Sequence, residues 1–259
     1  MKKILKGLLL MFVMIGAVAC SNEKKVESAL DKEEIVMGLD DTFAPMGFKD
    51  TNGKLVGFDV DLADEVSKRI NKKIKFQPID WAMKETELAN GNIDLIWNGY
   101  SITDERKEKV AFSDPYLDNA QTIVVLKDSP IKSKNDLEAK KVATQKDSST
   151  QEVFKNDKSG IVAKFDGGDA TYYSTFTDVF TDLDTKRSEA IVGDAVLVKY
   201  VMKQKGEEKY RALKDDFGTE QFGIGMRKDD TKLKEAIDNA LKDIKKDGTF
   251  EKIYKKWFS

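Results

Sequence analysis

The sequence predicts an α/β fold in two lobes, with the chain crossing twice between them. Three observations predict it. Strand-like apolar runs alternate with helix-like stripes along most of the chain, the pattern of a mainly parallel sheet flanked by helices. The 259 residues leave about 240 once an N-terminal leader is set aside, large for one core and comfortable for two. Two extended segments, near 121–127 and 222–226, break the alternation and provide the crossings.

The leader comes first. Lys2, Lys3 and Lys6 precede an apolar run over 8–15 and then Gly16-Ala17-Val18-Ala19-Cys20. A charged start, a short apolar run and small residues before a cleavage point mark a secretory signal. The run is shorter than the ~20 residues of a membrane-spanning helix. Residues 1–19 are therefore expected to be removed, and 20–32, polar and aperiodic, read as a tether.

A strand over 35–39 ends at Asp40-Asp41. Asp50-Thr51-Asn52-Gly53 marks a turn between two extended pieces, and Asp59 is expected to cap a helix striped by Leu62, Val66 and Ile70. A strand over 74–79, a short helix ending near Asn90-Gly91 and a strand over 93–97 follow. After the first crossing the pattern resumes at Val142. A helix carrying Phe176, Val179, Phe180 and Leu183 leads to a strand over 189–194 and a helix over 195–203. The return crossing precedes two helices, striped by Leu233, Ile237, Leu241 and Ile244 and by Phe250, Ile253, Tyr254 and Trp257. The expected division is 33–122 for the first part of lobe 1, 123–218 for lobe 2, and 219–259 for the return to lobe 1.

Composition narrows the function. The chain has no histidine, which removes His-based acid-base and nucleophilic schemes and most zinc sites. The formal charge of −2, without a basic block, argues against nucleic acid as a partner. One cysteine, Cys20, allows no intrachain disulfide. No cofactor or metal is expected, and a monomer is expected.

In α/β sheets the carboxyl ends of strands face the ligand crevice. Asp40, Asp41 and Phe43 follow the first strand; Asn98, Gly99, Tyr100 and Ser101 follow another; Gln145, Ser148, Ser149 and Asp194 lie at strand ends of the second lobe. Only five of the 44 basic residues are arginines. Arg106 lies near a strand end, just after Thr103, a candidate N-cap whose neighbouring N–H groups would add to an anion site. A guanidinium binds a carboxylate with two parallel bonds, which an ammonium cannot do. Ser148, Ser149 and Thr150 are either donors to the same carboxylate or a plain helix cap. Asp194 fits an ammonium acceptor, or a cap of the helix after it. Phe43 and Trp81 would sandwich an apolar stem or face a cation, or serve as core. Together these residues form an anion clamp and an ammonium acceptor on opposite lobes, the two charges of an amino acid's α-carbon.

The same chain carries ordered motifs: Gly57-Phe58-Asp59-Val60-Asp61-Leu62-Ala63, Ile102-Thr103-Asp104-Glu105-Arg106-Lys107, Phe112-Ser113-Asp114-Pro115-Tyr116, and Asp247-Gly248-Thr249-Phe250 followed by Ile253-Tyr254-Lys255-Lys256-Trp257-Phe258. With these it resembles the family-3 solute-binding proteins of polar amino-acid ABC importers. The resemblance implies a two-lobed type II periplasmic-binding-protein fold, a free amino acid as ligand and a membrane permease as partner. It places the carboxylate arginine on Arg106, the ammonium aspartate on Asp194, the stacking aromatics on Phe43 and Trp81, and carboxylate donors on Gly99, Ser101 and the loop with Ser148 and Ser149. Asp40 matches a position that meets the ligand's distal group, which suggests lysine, arginine or another polar amino acid. Trp97-Asn98 is more similar to receptors of cystine uptake. Ala17-Val18-Ala19-Cys20 resembles a lipobox, implying lipidation of Cys20, palmitate included, and an anchor in the bacterial membrane. A cyclohexadienyl-dehydratase-like enzyme with Asp40 or Asp41 as acid, and a ligand-sensing module, are the alternatives on this fold.

Overall fold

The computed structural model describes residues 27–259; the leader, Cys20 and the first part of the expected tether lie outside the described residues. The chain enters as a short 3-10 turn, Ala29–Asp31, which is packed rather than free. Ser28 Oγ donates to Asp230 Oδ1 at 2.5 Å and the Ala29 N–H to Asp230 Oδ2 at 2.8 Å, so the tether expected through Lys32 ends by Ser28.

The first half runs β1 (Glu34–Leu39), β2 (Thr42–Phe43), β3 (Gly47–Lys49), β4 (Leu55–Val56), α1 (Phe58–Ile70), β5 (Lys73–Pro78), α2 (Lys84–Ala89), β6 (Leu95–Ile96), α3 (Asp104–Lys109) and β7 (Ala111–Phe112). β8 (Leu117–Leu126) leads out to β9 (Val142–Gln145), α4 (Ser149–Lys155), β10 (Thr171–Tyr173), α5 (Phe176–Asp184), β11 (Ala190–Asp194) and α6 (Ala195–Lys205). β12 (Tyr210–Phe222) leads back to β13 (Gly225–Met226), α7 (Thr231–Lys246) and α8 (Thr249–Phe258).

Two five-stranded sheets result, in the orders β5-β1-β6-β13-β7 and β10-β9-β11-β8-β12, with a small sheet of β2, β3 and β4 beside them. The sheets are mixed rather than mainly parallel. β1 runs parallel to β5 and β6, but β13 returns antiparallel, and β8 lies antiparallel to both β11 and β12. A chain that leaves a lobe and comes back must lay its outgoing and incoming strands in opposite senses, and β8 and β12 do so along most of their length.

The cores follow the sequence stripes. Leu233, Ile237, Leu241 and Ile244 of α7 pack with Leu62 and Val66 of α1 in a large apolar cluster, whereas Ile123, Val125, Val142, Phe154 and Val192 centre a second cluster in the other lobe. α1 departs from expectation at its start. Gly57 is the cap residue, at φ +150°, where a Cβ would come 2.2 Å from the Met46 carbonyl oxygen. Asp59 therefore does not cap α1; it turns inward and is fully buried. The strand expected over 93–97 pairs only at Leu95 and Ile96. The buried Asp94 instead binds the Val36 N–H at 3.0 Å, Lys32 at 2.7 Å and Arg227 at 2.6 Å, tying three segments of lobe 1. Among the described residues no helix is long and apolar enough to cross a membrane.

Candidate functional site

The strand ends of the two sheets meet. Gln145 Nε2 of β9 donates to Asp40 Oδ2 at 2.9 Å, and Phe43 packs against Phe176 with ring centres 5.7 Å apart. Ser101 Oγ donates to Ser149 Oγ at 3.0 Å, and Lys84 Nζ to the Asp147 carbonyl at 2.9 Å. The lobes are thus closed on one another, and the side chains between them are buried and polar.

One end of the closed cleft is cationic. Thr103 caps α3, its Oγ1 accepting from the Arg106 N–H at 3.2 Å, and this fixes the first turn. Arg106, 2 % exposed, then donates from Nη1 to the Ser101 carbonyl at 3.1 Å and from Nη2 to the Asp147 carbonyl at 3.4 Å. Its Nε lies 2.7 Å from Glu152 Oε1 but off hydrogen-bond alignment, and its guanidinium stands 4.7 Å over the Tyr100 ring. Lys84 is also buried beside it, and that burial, followed by the Arg106 charge, pushes its pKa down to about 8.

The other end is anionic. Asp194 Oδ1 accepts from Asn119 Nδ2 and, at 3.1 Å, from Gln121 Nε2. Its carboxyl is driven well above the usual carboxylate range, first by burial and then by the charge of Glu220. It stands just before α6 but makes no capping bond, so the cap reading falls away. Asp40 is buried as well; its Oδ1 accepts from the Thr42 N–H and hydroxyl at 2.9 and 2.6 Å, and desolvation raises its pKa.

The remaining candidates line the same space. Asn98 Oδ1 accepts from the Asp40 N–H at 3.1 Å, while its Nδ2 is buried without an acceptor. Gly99, at φ +59°, donates its N–H to Asp59 Oδ2 at 2.7 Å. Ser148 caps α4, accepting from the Gln151 N–H at 3.3 Å, and Ser149 Oγ faces Ser101 and Gln121. Phe43 and Trp81 are not stacked on each other: Trp81 meets Tyr100 edge-on at 5.8 Å, with Lys84 Nζ 5.2 Å from its ring. Among the described residues no cluster of His, Cys, Asp and Glu is arranged to hold a metal.

Sequence reasoning missed Asn119, Gln121, Glu220, Lys84, Glu152 and Asp59 as members of this region. A signal existed for two of them: Asn119 and Gln121 are polar, two apart, on a strand otherwise bound for a core. The others depend on long-range pairing that no local pattern carries.

Among the described residues, Arg106 Nε, Asn98 Nδ2 and Asn119 Oδ1 of the site are buried without an aligned hydrogen-bond partner. A family model described as bacterial extracellular solute-binding proteins, family 3, matches residues 35–259. The histidine-binding periplasmic protein of Escherichia coli (strain K12) is 33 % identical, over 100 % of this chain and 97 % of its own. The lysine/arginine/ornithine-binding periplasmic protein of the same strain is 34 % identical, over 87 % of this chain and 88 % of its own. The substrate-binding protein of an ABC uptake transporter from Streptococcus pneumoniae, solved with bound histidine, superposes with a TM-score of 0.86 at 39 % identity, covering 88 % of this chain and 94 % of its own.

Proposed function

Given that the chain belongs to the bacterial extracellular solute-binding proteins of family 3, we propose that it captures a free amino acid between its lobes and delivers it, unaltered, to the permease of an ABC importer. The observation that carries this is the pair of opposed charge poles buried between lobes that close on each other, Arg106 with Lys84 at one end and Asp194 at the other, with the half-buried Glu220 beside Asp194. An amino acid's carboxylate and ammonium match those poles in sign and separation of roles. Arg106, Ser101, Ser148 and Ser149 would take the carboxylate and Asp194 the ammonium, whereas Gly99, expected from the sequence as a further donor, already gives its one N–H to Asp59. Phe43, Trp81, Asn98 and Gln145 would line the stem, and Asp40 would receive a polar or cationic distal group. Closure excludes water and raises the value of each contact. Relatives that bind histidine, and lysine, arginine and ornithine, support a cationic side chain, with cystine as a further candidate. Histidine joins lysine, arginine, other polar amino acids and cystine, the ligands expected from the sequence.

We further infer residues 33–122 and 219–259 as lobe 1 and 123–218 as lobe 2, with β8 and β12 as the hinge. The mature protein is an extracytoplasmic monomer anchored to the bacterial membrane by lipid on Cys20. Two acyl signals hold a membrane stably where one does not. A thermal-shift screen of the mature protein against the twenty amino acids, ornithine and cystine tests the ligand. Each at a hundredfold excess over its dissociation constant adds about 2.7 kcal/mol of stability. No shift with any of them would overturn the reading. Labelled palmitate appearing in the wild type and lost in Cys20→Ala tests the anchor.

A further inference from the structure

Glu220 has no counterpart in the residue set read from the sequence, yet it stands at the centre of the anionic pole. It lies on β12 opposite Asn119, as Asp194 on β11 lies opposite Gln121. Asn119 and Gln121 are two apart on β8, between those strands, so they share one face of the sheet. Each amide serves both acids. Asn119 Nδ2 donates to Asp194 Oδ1 and, at 2.6 Å, to Glu220 Oε1; Gln121 Nε2 donates to the same two oxygens at 3.1 and 2.8 Å. Asp194 is buried and Glu220 half-buried, and a buried carboxylate that shares its donors with a second carboxylate is costly to ionise.

The surroundings supply no countercharge. Ser101 Oγ and Ser149 Oγ approach Glu220 Oε1 at 2.8 and 3.4 Å, and among the described residues the bonds to the pair come from amides and hydroxyls. Of the helices packed on these strands, α4 turns Glu152 to Arg106, α5 turns Asp182 to Arg187 and Asp184 to Lys205, and Lys199 of α6 is exposed. Arg106, which bonds the Ser101 carbonyl behind that hydroxyl, is committed to the Ser101 and Asp147 carbonyls and to Glu152. Asn119 Oδ1, on the side chain that bridges the acids, is buried and has no donor. An acceptor left unmet beside two carboxylates calls for a group with several N–H bonds.

We propose that Asp194, with Glu220 set beside it on shared amide donors, holds a proton before capture and gives it up to solvent when the ligand's α-ammonium takes its place. This rests on the reading of Asp194 as the ammonium acceptor. One carboxyl O–H bond is broken, the proton leaves as the cation arrives, and the ammonium N–H bonds replace it against Asp194, Glu220 and Asn119 Oδ1. The raised pKa of Asp194, from burial and from Glu220, is the state this requires. Glu220 thereby ties affinity to pH, about tenfold per pH unit for one displaced proton.

The test is titration calorimetry of the mature protein with L-arginine, replaced by the strongest binder of the thermal-shift panel if arginine does not bind. Buffers of different ionisation enthalpy at pH 6 to 8 give the protons released. Wild type is expected to release about one proton more than Glu220→Gln, and its dissociation constant to rise about tenfold per unit fall in pH relative to the variant. The comparison cancels any titration of the ligand itself. Equal release from both proteins, with binding intact, overturns the proton held on Asp194 beside Glu220 and leaves the receptor standing. Should Glu220→Gln not fold, zero release by wild type with L-arginine overturns it and one proton supports it. Failure of wild type to bind any amino acid removes the receptor reading and this proposal together.

Discussion

Replacing Asp59 with asparagine probes the brace beneath the site. Asp59 rises from the first turn of α1 into the core, where its Oδ2 accepts from the Gly99 N–H at 2.7 Å and the Tyr116 hydroxyl at 3.0 Å. It therefore holds the loop that carries Asn98, Gly99 and Ser101 to the start of β8. Burial, only partly offset by those bonds, pushes its carboxyl up to about 7. In the unfolded chain the same group titrates near ~3.9. About three pH units at ~1.4 kcal/mol each make its ionisation cost the folded state roughly 4 kcal/mol. The native state thus binds more protons than the unfolded state between about pH 4 and pH 7. Stability is fully present below the unfolded value, falls as pH rises through that window, and levels off above it. Asparagine has no proton to lose and its oxygen can still accept from Gly99 and Tyr116. Urea unfolding of both proteins at pH 4 to 8 should show the variant gaining on wild type by about 4 kcal/mol across the range. A gap that stays constant with pH would refute this account of Asp59.

Three further substitutions address the site and its supports. Arg106→Lys keeps the charge but cannot span the Ser101 carbonyl, the Asp147 carbonyl and Glu152 together. Calorimetry should find amino-acid affinity weakened roughly 10- to 100-fold, and an unchanged dissociation constant would contradict the clamp. Gly99→Ala puts a Cβ 2.9 Å from Phe43 and 3.2 Å from Phe222 at φ +59°, so urea unfolding should report a loss of about 1 to 3 kcal/mol. Asp230→Ala removes the acceptor of Ser28, Ala29 and the Leu233 N–H, costing about 1 to 2 kcal/mol and speeding amide exchange at Ala29.

Local pattern made much of this fold legible. The stripes of α1, α5 and α7 recur at fixed spacing and burial largely follows them, the turn at Asp50 to Gly53 forms where its residues mark it, and in α8 Ile253 alone is buried while Tyr254 stays exposed. Arg106 stood out because arginine is scarce here, and Thr103 and Ser148 because caps have a short signature. Asp59 was misread because a carboxylate at a helix start is usually a cap; only the fold shows that Gly57 already fills that place and that Gly99 waits behind it. Glu220 was invisible for a different reason. Its significance depends on the register that sets residues 219–222 against 117–120, a pairing across a hundred positions with shifts along the way. The same non-local pairing makes the sheets mixed where alternation alone suggested parallel strands.

The clamp of Ser28 and Ala29 on Asp230 decides where mechanical load enters the molecule. Tension arriving along the N-terminal segment passes into the start of α7 and the first sheet, and bypasses β8 and β12 altogether. If Cys20 carries the lipid proposed above and β8 and β12 form the proposed hinge, the first lobe is the moored body and the second the one at liberty to swing, so that a pull on the leash neither opens nor shuts the jaw.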